Sequence, residues 1–150
     1  MIEDDGDIVR GLGFMVMRAA HLEAQIDDLL FHLSPLEQYT EKEQKFPISK
    51  KIAKAEKILN SYRNEFSEKI IGELNLCKTH FDWRNELVHG RIYSEYHPKN
   101  LVSGRHNVPD RRATSEELYL LANNLEKLTH RLQWPVSLPN FVSQALLKEA

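Results

Sequence analysis

The sequence predicts an all-α fold: four main helices and a short fifth, packed as a bundle in a single domain spanning residues 1–150. Three observations carry that prediction. Apolar residues recur at three- and four-residue spacing in four separate segments. Residues of capping and stopping type bracket those segments. No internal repeat, low-complexity tract or second core interrupts them.

The first helix is expected from about Asp7 to Leu33, with Leu12, Val16, Ala19, Ile26, Leu30 and Leu33 on one face. Asp7 can cap its start, and Ser34-Pro35 ends it. Gly11 and Gly13 weaken the first turns, which allows a later start. Glu23 falls within the stripe, between Ala19 and Ile26. A carboxylate there is either a partly exposed edge residue, one half of a buried ion pair, or a partner for a functional arginine.

Leu36 to Pro47 is polar and reads as a loop. A second helix from about Ile48 to Tyr62 turns Ile52, Ala55, Ile58 and Leu59 inward. Its Lys50, Lys51, Lys54 and Lys57 form a basic face, either solvated surface or a track for RNA. The third helix, from about Glu65 to Val88, carries the stripe Ile70, Leu74, Cys77, Phe81, Arg84, Val88, and Gly90 stops it. Arg84 thus occupies a core-facing position near the end of that helix.

Residues 90–113 hold Gly90, Pro98, Gly104 and Pro109 and show no helical period. The segment reads as a long connection with a short hairpin pairing Ile92-Tyr93 with Leu101-Val102. Thr114-Ser115-Glu116-Glu117 fits a capping box, with Glu117 reaching back. The fourth helix then runs to about Leu132 with Leu118, Leu121, Leu125, Leu128 and Leu132 inward. Trp134-Pro135 breaks it, and a short helix from about Pro139 to Lys148 follows.

A chain of 150 residues, 41% hydrophobic and 28% charged, is globular in composition and long enough to bury a core. Its one cysteine, Cys77, lies among apolar neighbours at helical spacing and reads as a buried structural thiol in a reducing compartment. The start, Met1-Ile2-Glu3-Asp4-Asp5, lacks the basic region of a signal peptide. No apolar run approaches the ~20 residues of a membrane span, so the expectation is a soluble, cytoplasmic protein without membrane contacts.

Net charge is −2, yet charge is unevenly placed. From Arg84 to Arg112 stand Arg84, Arg91, Lys99, Arg105, Arg111 and Arg112 against Glu86, Glu95 and Asp110, together with His89, His97 and His106. Such a stretch is either an ordinary solvated loop or a local positive field for phosphate, with Arg91, Lys99, Arg105, Arg111 and Arg112 as RNA-binding candidates.

Several chemistries are set aside. There is no P-loop, dinucleotide glycine fingerprint, nucleophile elbow or HExxH, and the seven histidines stand at no usual zinc spacing, so neither a cofactor nor a metal is expected. What remains is Arg84-Asn85-Glu86-Leu87-Val88-His89. Asn85 and His89 stand four apart, so they share a helical face and the amide can orient the imidazole. Arg84 offers a planar, permanently charged fork for a phosphate. Histidine moves protons near neutrality. Together they suffice for one reaction: RNA brings its own nucleophile, the 2′-hydroxyl, and needs only a base and stabilisation of the negatively charged transition state.

The segment Arg84-Asn85-x3-His89, closing a long helix of a small helical bundle and followed by a variable loop, resembles the signature of the HEPN superfamily. The likeness in architecture extends over most of the chain; the motif itself covers six residues. The resemblance implies a metal-independent endoribonuclease that leaves a 2′,3′-cyclic phosphate. It also implies a homodimer with two motif copies in one cleft, and a setting in toxin or antiviral defence, with an antitoxin or regulatory protein as a further partner. Carried over by position, Arg84 and His89 would be catalytic and Asn85 supportive; Glu23 stands outside the motif as a possible partner of Arg84. The alternative is a non-catalytic, dimeric RNA-binding or protein-interaction module, with Arg84 in a structural pair with Glu23 and His89 interacting with the helix dipole.

Overall fold

The structure, a computed structural model, describes residues 1–89, 91–92, 101–103, 111–112 and 114–149, with side chains for 1–88 and 114–149. Among these are six α-helices and three very short strands: α1 (Ile8–Leu33), α2 (Glu41–Gln44), α3 (Ile48–Ser61), α4 (Glu65–His89), β1 (Arg91–Ile92), β2 (Leu101–Ser103), β3 (Arg111–Arg112), α5 (Ser115–Arg131) and α6 (Ser137–Glu149). The fold is all-α, as the periodicity predicts. The helices form two compact units, Met1–Ala20 with Thr79–Lys127, and His21–Lys78 with Leu128–Ala150. None of the described helices is long and apolar enough to cross a membrane.

In the first unit, α1 starts where the cap stands, not later. The Arg10 N–H donates to Asp7 Oδ1 at 3.0 Å and the Gly11 N–H to the Asp7 carbonyl at 2.9 Å, which satisfies donors that a helix start leaves orphaned. Gly11 has a packing reason: a Cβ there would stand 2.9 Å from Tyr119 Cε2. The inward residues are Gly11, Met15 and Ala19, while Leu12 is half-buried and Val16 is 48% exposed. Ala19, Ile26, Leu30 and Leu33 are buried as expected, and only the first two places of the stripe are shifted by one position, from Leu12 and Val16 to Gly11 and Met15, because Gly11, invisible to a hydrophobicity pattern, holds the first of them. From α5, Leu118, Tyr119, Leu121, Ala122 and Leu125 are buried, and from α4, Phe81 and Leu87. Each such large side chain contributes roughly 1.5–3 kcal/mol through burial.

The strands form one antiparallel sheet in the order β1-β2-β3. Ile92 pairs with Val102 as the expected hairpin requires; Tyr93 lies outside the described residues. The pairing of Leu101 with Arg112 and Val102 with Arg111 adds a third strand that two residues of sequence could not announce.

In the second unit, α1 buries Leu22, Ile26, Leu29, Leu30 and Leu33, and α3 buries Ile52, Ala55, Ile58 and Leu59 as read. The stretch read as loop 36–47 contains α2, whose four residues are closed by a full capping box: the Glu43 N–H donates to Thr40 Oγ1 and the Thr40 N–H to Glu43 Oε1. Local capping holds a turn that has no apolar period to betray it. Helix α4 supplies Ile70, Leu74 and Cys77, α5 supplies Leu128, and Leu132 follows it. Helix α6 begins at Ser137, which sets Pro139 inside its first turn, and Phe66 stands edge-on to Trp134 with ring centroids 5.2 Å apart.

The lysine face of α3 is not a free basic surface. Lys51 is buried and holds Asp27 at 2.9 Å, and the Tyr39 hydroxyl donates to the same carboxylate. Lys54 pairs with Glu43 at 2.7 Å and lies 3.6 Å from Glu37, Lys57 also lies 3.6 Å from Glu37, and Lys50 stands over the Phe46 ring. Lys51 and Lys54 are thus committed to carboxylates from α1 and from the segment before α3, while Lys50 and Lys57 remain exposed.

Candidate functional site

The last three turns of α4, from Thr79 on, belong to the first unit, and their placement begins with Trp83. Its indole N–H donates to Glu117 Oε1 at 2.7 Å, and the Glu117 N–H donates to Thr114 Oγ1 at 3.2 Å. The expected Thr114 cap is therefore present, and the Glu117 carboxylate ties the start of α5 to α4. The His80 ring, one turn earlier, lies 6.3 Å from the Trp83 ring at 48°. Nothing in the sequence marks the Trp83–Glu117 bond, because its partners stand 34 residues apart.

Arg84 is half-buried, its Nε is sealed from solvent, and its guanidinium carbon lies 5.5 Å from the centroid of the Phe81 ring. The planar cation thus rests over an aromatic face, which orients it and favours its charge. The core-facing assignment is softened accordingly: the fully buried place after Phe81 goes to Leu87, while Val88, assigned to the stripe, is 38% exposed. Asn85 is half-buried. His89 is the last residue of α4; its side chain lies outside the described residues.

Helical geometry sets how these positions relate. At 3.6 residues per turn, positions 85 and 89 differ by only about 40° around the axis, whereas positions 84 and 89 differ by about 140°. Asn85 and His89 therefore share a face, and Arg84 stands on another. A shallow groove lined by Thr79, Asp82, Trp83 and Glu86 runs along a third part of the same turns, with Asp82 and Glu86 exposed.

The other candidates divide. Glu23 lies on α1 in the second unit and is half-buried, with Leu22 in the stripe position between Ala19 and Ile26. Arg91 lies in β1, and Arg111 and Arg112 lie in β3. Since Arg91 pairs with Ser103 and Arg111 with Val102, the three backbones sit on either side of β2, about 10 Å apart at two strand spacings. The ladder register thus gathers three basic positions that stand up to 21 residues apart in sequence. Lys99 and Arg105 lie outside the described residues. Among the described residues, no group of three or more His, Cys, Asp or Glu side chains could hold a metal ion.

Cys77 is sealed inside the second unit, and burial, with the Glu73 carboxylate adding to it, pushes its thiol up to about 12. It is a packing residue rather than a nucleophile.

No family model, curated protein or solved structure matches the chain.

Proposed function

We propose that the chain is a metal-independent endoribonuclease, with Arg84, Asn85 and His89 at the end of α4 as its working residues. The observation that carries the reading is the setting of Arg84: a half-buried guanidinium, held over the Phe81 ring five residues before His89 at the same helix end. A cation fixed by packing loses little freedom on engaging a phosphate and is suited to a charge that develops only in the transition state. In the reaction His89 removes the proton of the RNA 2′-hydroxyl, the oxygen attacks the adjacent phosphorus, and the 5′-oxygen leaves with a proton. The products are a 2′,3′-cyclic phosphate and a new 5′-hydroxyl. Arg84 steadies the negatively charged phosphoryl oxygens, and Asn85 orients the imidazole. DNA, lacking the 2′-hydroxyl, is not a substrate.

The 140° between positions 84 and 89, about that much at 3.6 residues per turn, supports a site assembled from two copies of the chain, each giving one residue to the other's phosphate. A setting in toxin or antiviral defence, with a restraining protein partner, accords with such an activity.

The test is cleavage of a single-stranded RNA in EDTA by wild type, Arg84→Ala and His89→Ala. The expected result is cyclic-phosphate ends from wild type, with a loss of at least about a hundredfold in His89→Ala, as removal of a general base gives. Cleavage that survives His89→Ala, or that stops in EDTA, overturns the mechanism.

A second reading, a non-catalytic dimeric RNA-binding or protein-interaction module, is favoured by the same Phe81 contact, since a cation packed on a core ring also serves structure alone. It predicts that Arg84→Ala lowers stability and that no RNA is cut.

A further inference from the structure

A groove of about 440 Å³ opens on the second unit, where the last turns of α1 meet the break between α5 and α6. From α1 come Gln25, Asp28, Leu29 and His32, at spacings of three and four, so a single helical face supplies that side. The rest of the lining comes from the stretch 132–138, where Trp134-Pro135 separates the two later helices. Leu29, Leu132 and Leu138 are buried at the base, Trp134 is half-buried and Pro135 is exposed. The Trp134 N–H is sealed from solvent with no hydrogen-bond partner among the described residues, and its ring stands edge-on to Phe66. The indole therefore offers the groove apolar surface and no donor.

The polar groups that α1 brings call for a donor. His32 Nδ1 lies 2.8 Å from the Asp28 carbonyl oxygen. That oxygen can only accept, so Nδ1 carries the proton, and in the neutral ring Nε2 is left as an acceptor. The Asp28 carboxylate is exposed and makes no ion pair among the described residues. Gln25 gives its amide N–H to the Leu132 carbonyl at 3.3 Å, which ties the two sides together. No Lys or Arg lines the groove, and Arg131, next to it in sequence, lies 3.8 Å from Glu73. The C-terminal end of α1 adds the negative end of a helix dipole.

We propose that this groove binds a small organic cation with an apolar body, of the arylalkylamine class. The hydrocarbon part lies on Trp134 and the leucines, and the ammonium donates to the Asp28 carboxylate and to His32 Nε2. Charge complementarity selects this occupant: an anion would face Asp28 with no cation to receive it, and a neutral apolar molecule would cover the carboxylate without pairing it. The size agrees, since small-molecule sites run from roughly 300 to 1,000 Å³. The site shares no residue with the end of α4, so it stands or falls apart from the ribonuclease reading.

The test is isothermal titration calorimetry of the full chain with phenethylamine, phenethyl alcohol and phenylacetate at low salt. Phenethylamine is expected to bind with a Kd of about 0.1–1 mM. The alcohol, which keeps the ring but lacks the charge, should bind at least about tenfold more weakly, and the acid not at all. Asp28→Asn changes an exposed side chain and leaves the apolar base intact. It should weaken phenethylamine about threefold to fivefold, as loss of an exposed ion pair does, and leave the alcohol unchanged. The indole N–H resonance of Trp134, recognised by its absence from Trp134→Phe, should shift as phenethylamine is added. Equal affinity for amine and alcohol, an Asp28→Asn protein that binds the amine as wild type does, a Trp134 resonance that stays in place at saturation, or no binding of the amine by about 10 mM overturns the proposal.

Discussion

Two glycines near the start of α1 should respond oppositely to the same substitution. In an open helix, Gly→Ala stabilises by roughly 0.5–1 kcal/mol, because the chain loses less backbone freedom on folding. Gly13 meets that condition: a Cβ there finds nothing within 4 Å. At Gly11 the added carbon would stand 2.9 Å from Tyr119 Cε2, 3.1 Å from its Cδ2 and 3.2 Å from Leu118 Cβ. The Tyr119 ring is only 2% exposed, and its hydroxyl is tied to Asp5, so it yields only by straining the packing and that hydrogen bond together. Overpacking of that kind costs about 1–3 kcal/mol. Set against the helical gain, Gly11→Ala should lose about 0.5–2 kcal/mol while Gly13→Ala gains about 0.5–1. The two variants should then be separated by roughly 3–10 °C in Tm for a chain of this length. Urea unfolding of the wild type and both variants measures the difference directly. A Gly11→Ala protein as stable as Gly13→Ala would refute the claim that Tyr119 packs on the glycine, and with it the account of why the first two inward places of α1 fall on Gly11 and Met15.

Two further outcomes follow from titrating groups. Cys77, fully buried and with its thiol pushed up to about 12, should react with an aromatic disulfide reagent only as fast as the protein opens; stoichiometric labelling within seconds in native buffer, without denaturant, would contradict its burial. The carboxyls of Asp5 and Glu43 are both held down to about 2, the first chiefly by the Tyr119 hydroxyl and the second chiefly by Lys54. Groups depressed in the folded state contribute stability above their unfolded values and lose it as pH falls. Stability should therefore decline between about pH 4 and pH 2, and Glu43→Gln should flatten that decline; identical acid profiles for variant and wild type would remove Glu43 from the account.

The helices were legible wherever one face is filled by large apolar side chains alone. Leu118, Leu121, Leu125, Leu128 and Leu132 are all buried as the pattern requires, as are Ile52, Ala55, Ile58 and Leu59. Legibility failed where something other than hydrophobicity decides which face is inward. Gly11 hides a packing position, Leu87 and Val88 compete for one place at a helix end, and α2 is held by a capping box instead of a core. Ion pairs were the least legible of all. Lys51, Lys54 and Lys57 read as a solvated or RNA-facing row because their partners, Asp27, Glu37 and Glu43, are brought to them only by the fold. At the candidate site the sequence supplied the residue types and the helix end, and helical spacing supplied the shared face of positions 85 and 89. It could not supply the Trp83–Glu117 bond or the Phe81 platform under Arg84, which depend on packing in three dimensions.

The two tryptophans fall one to each unit, Trp83 in the first and Trp134 in the second. Their surroundings differ in kind: one indole N–H is hydrogen-bonded to a carboxylate, and the other ring stands edge-on to Phe66. The chain therefore carries a separate intrinsic fluorophore for each half of its architecture. Replacing either by phenylalanine leaves a single emitter that reports on its own unit, so superposition of the two melting curves measures directly whether the halves unfold as one cooperative body.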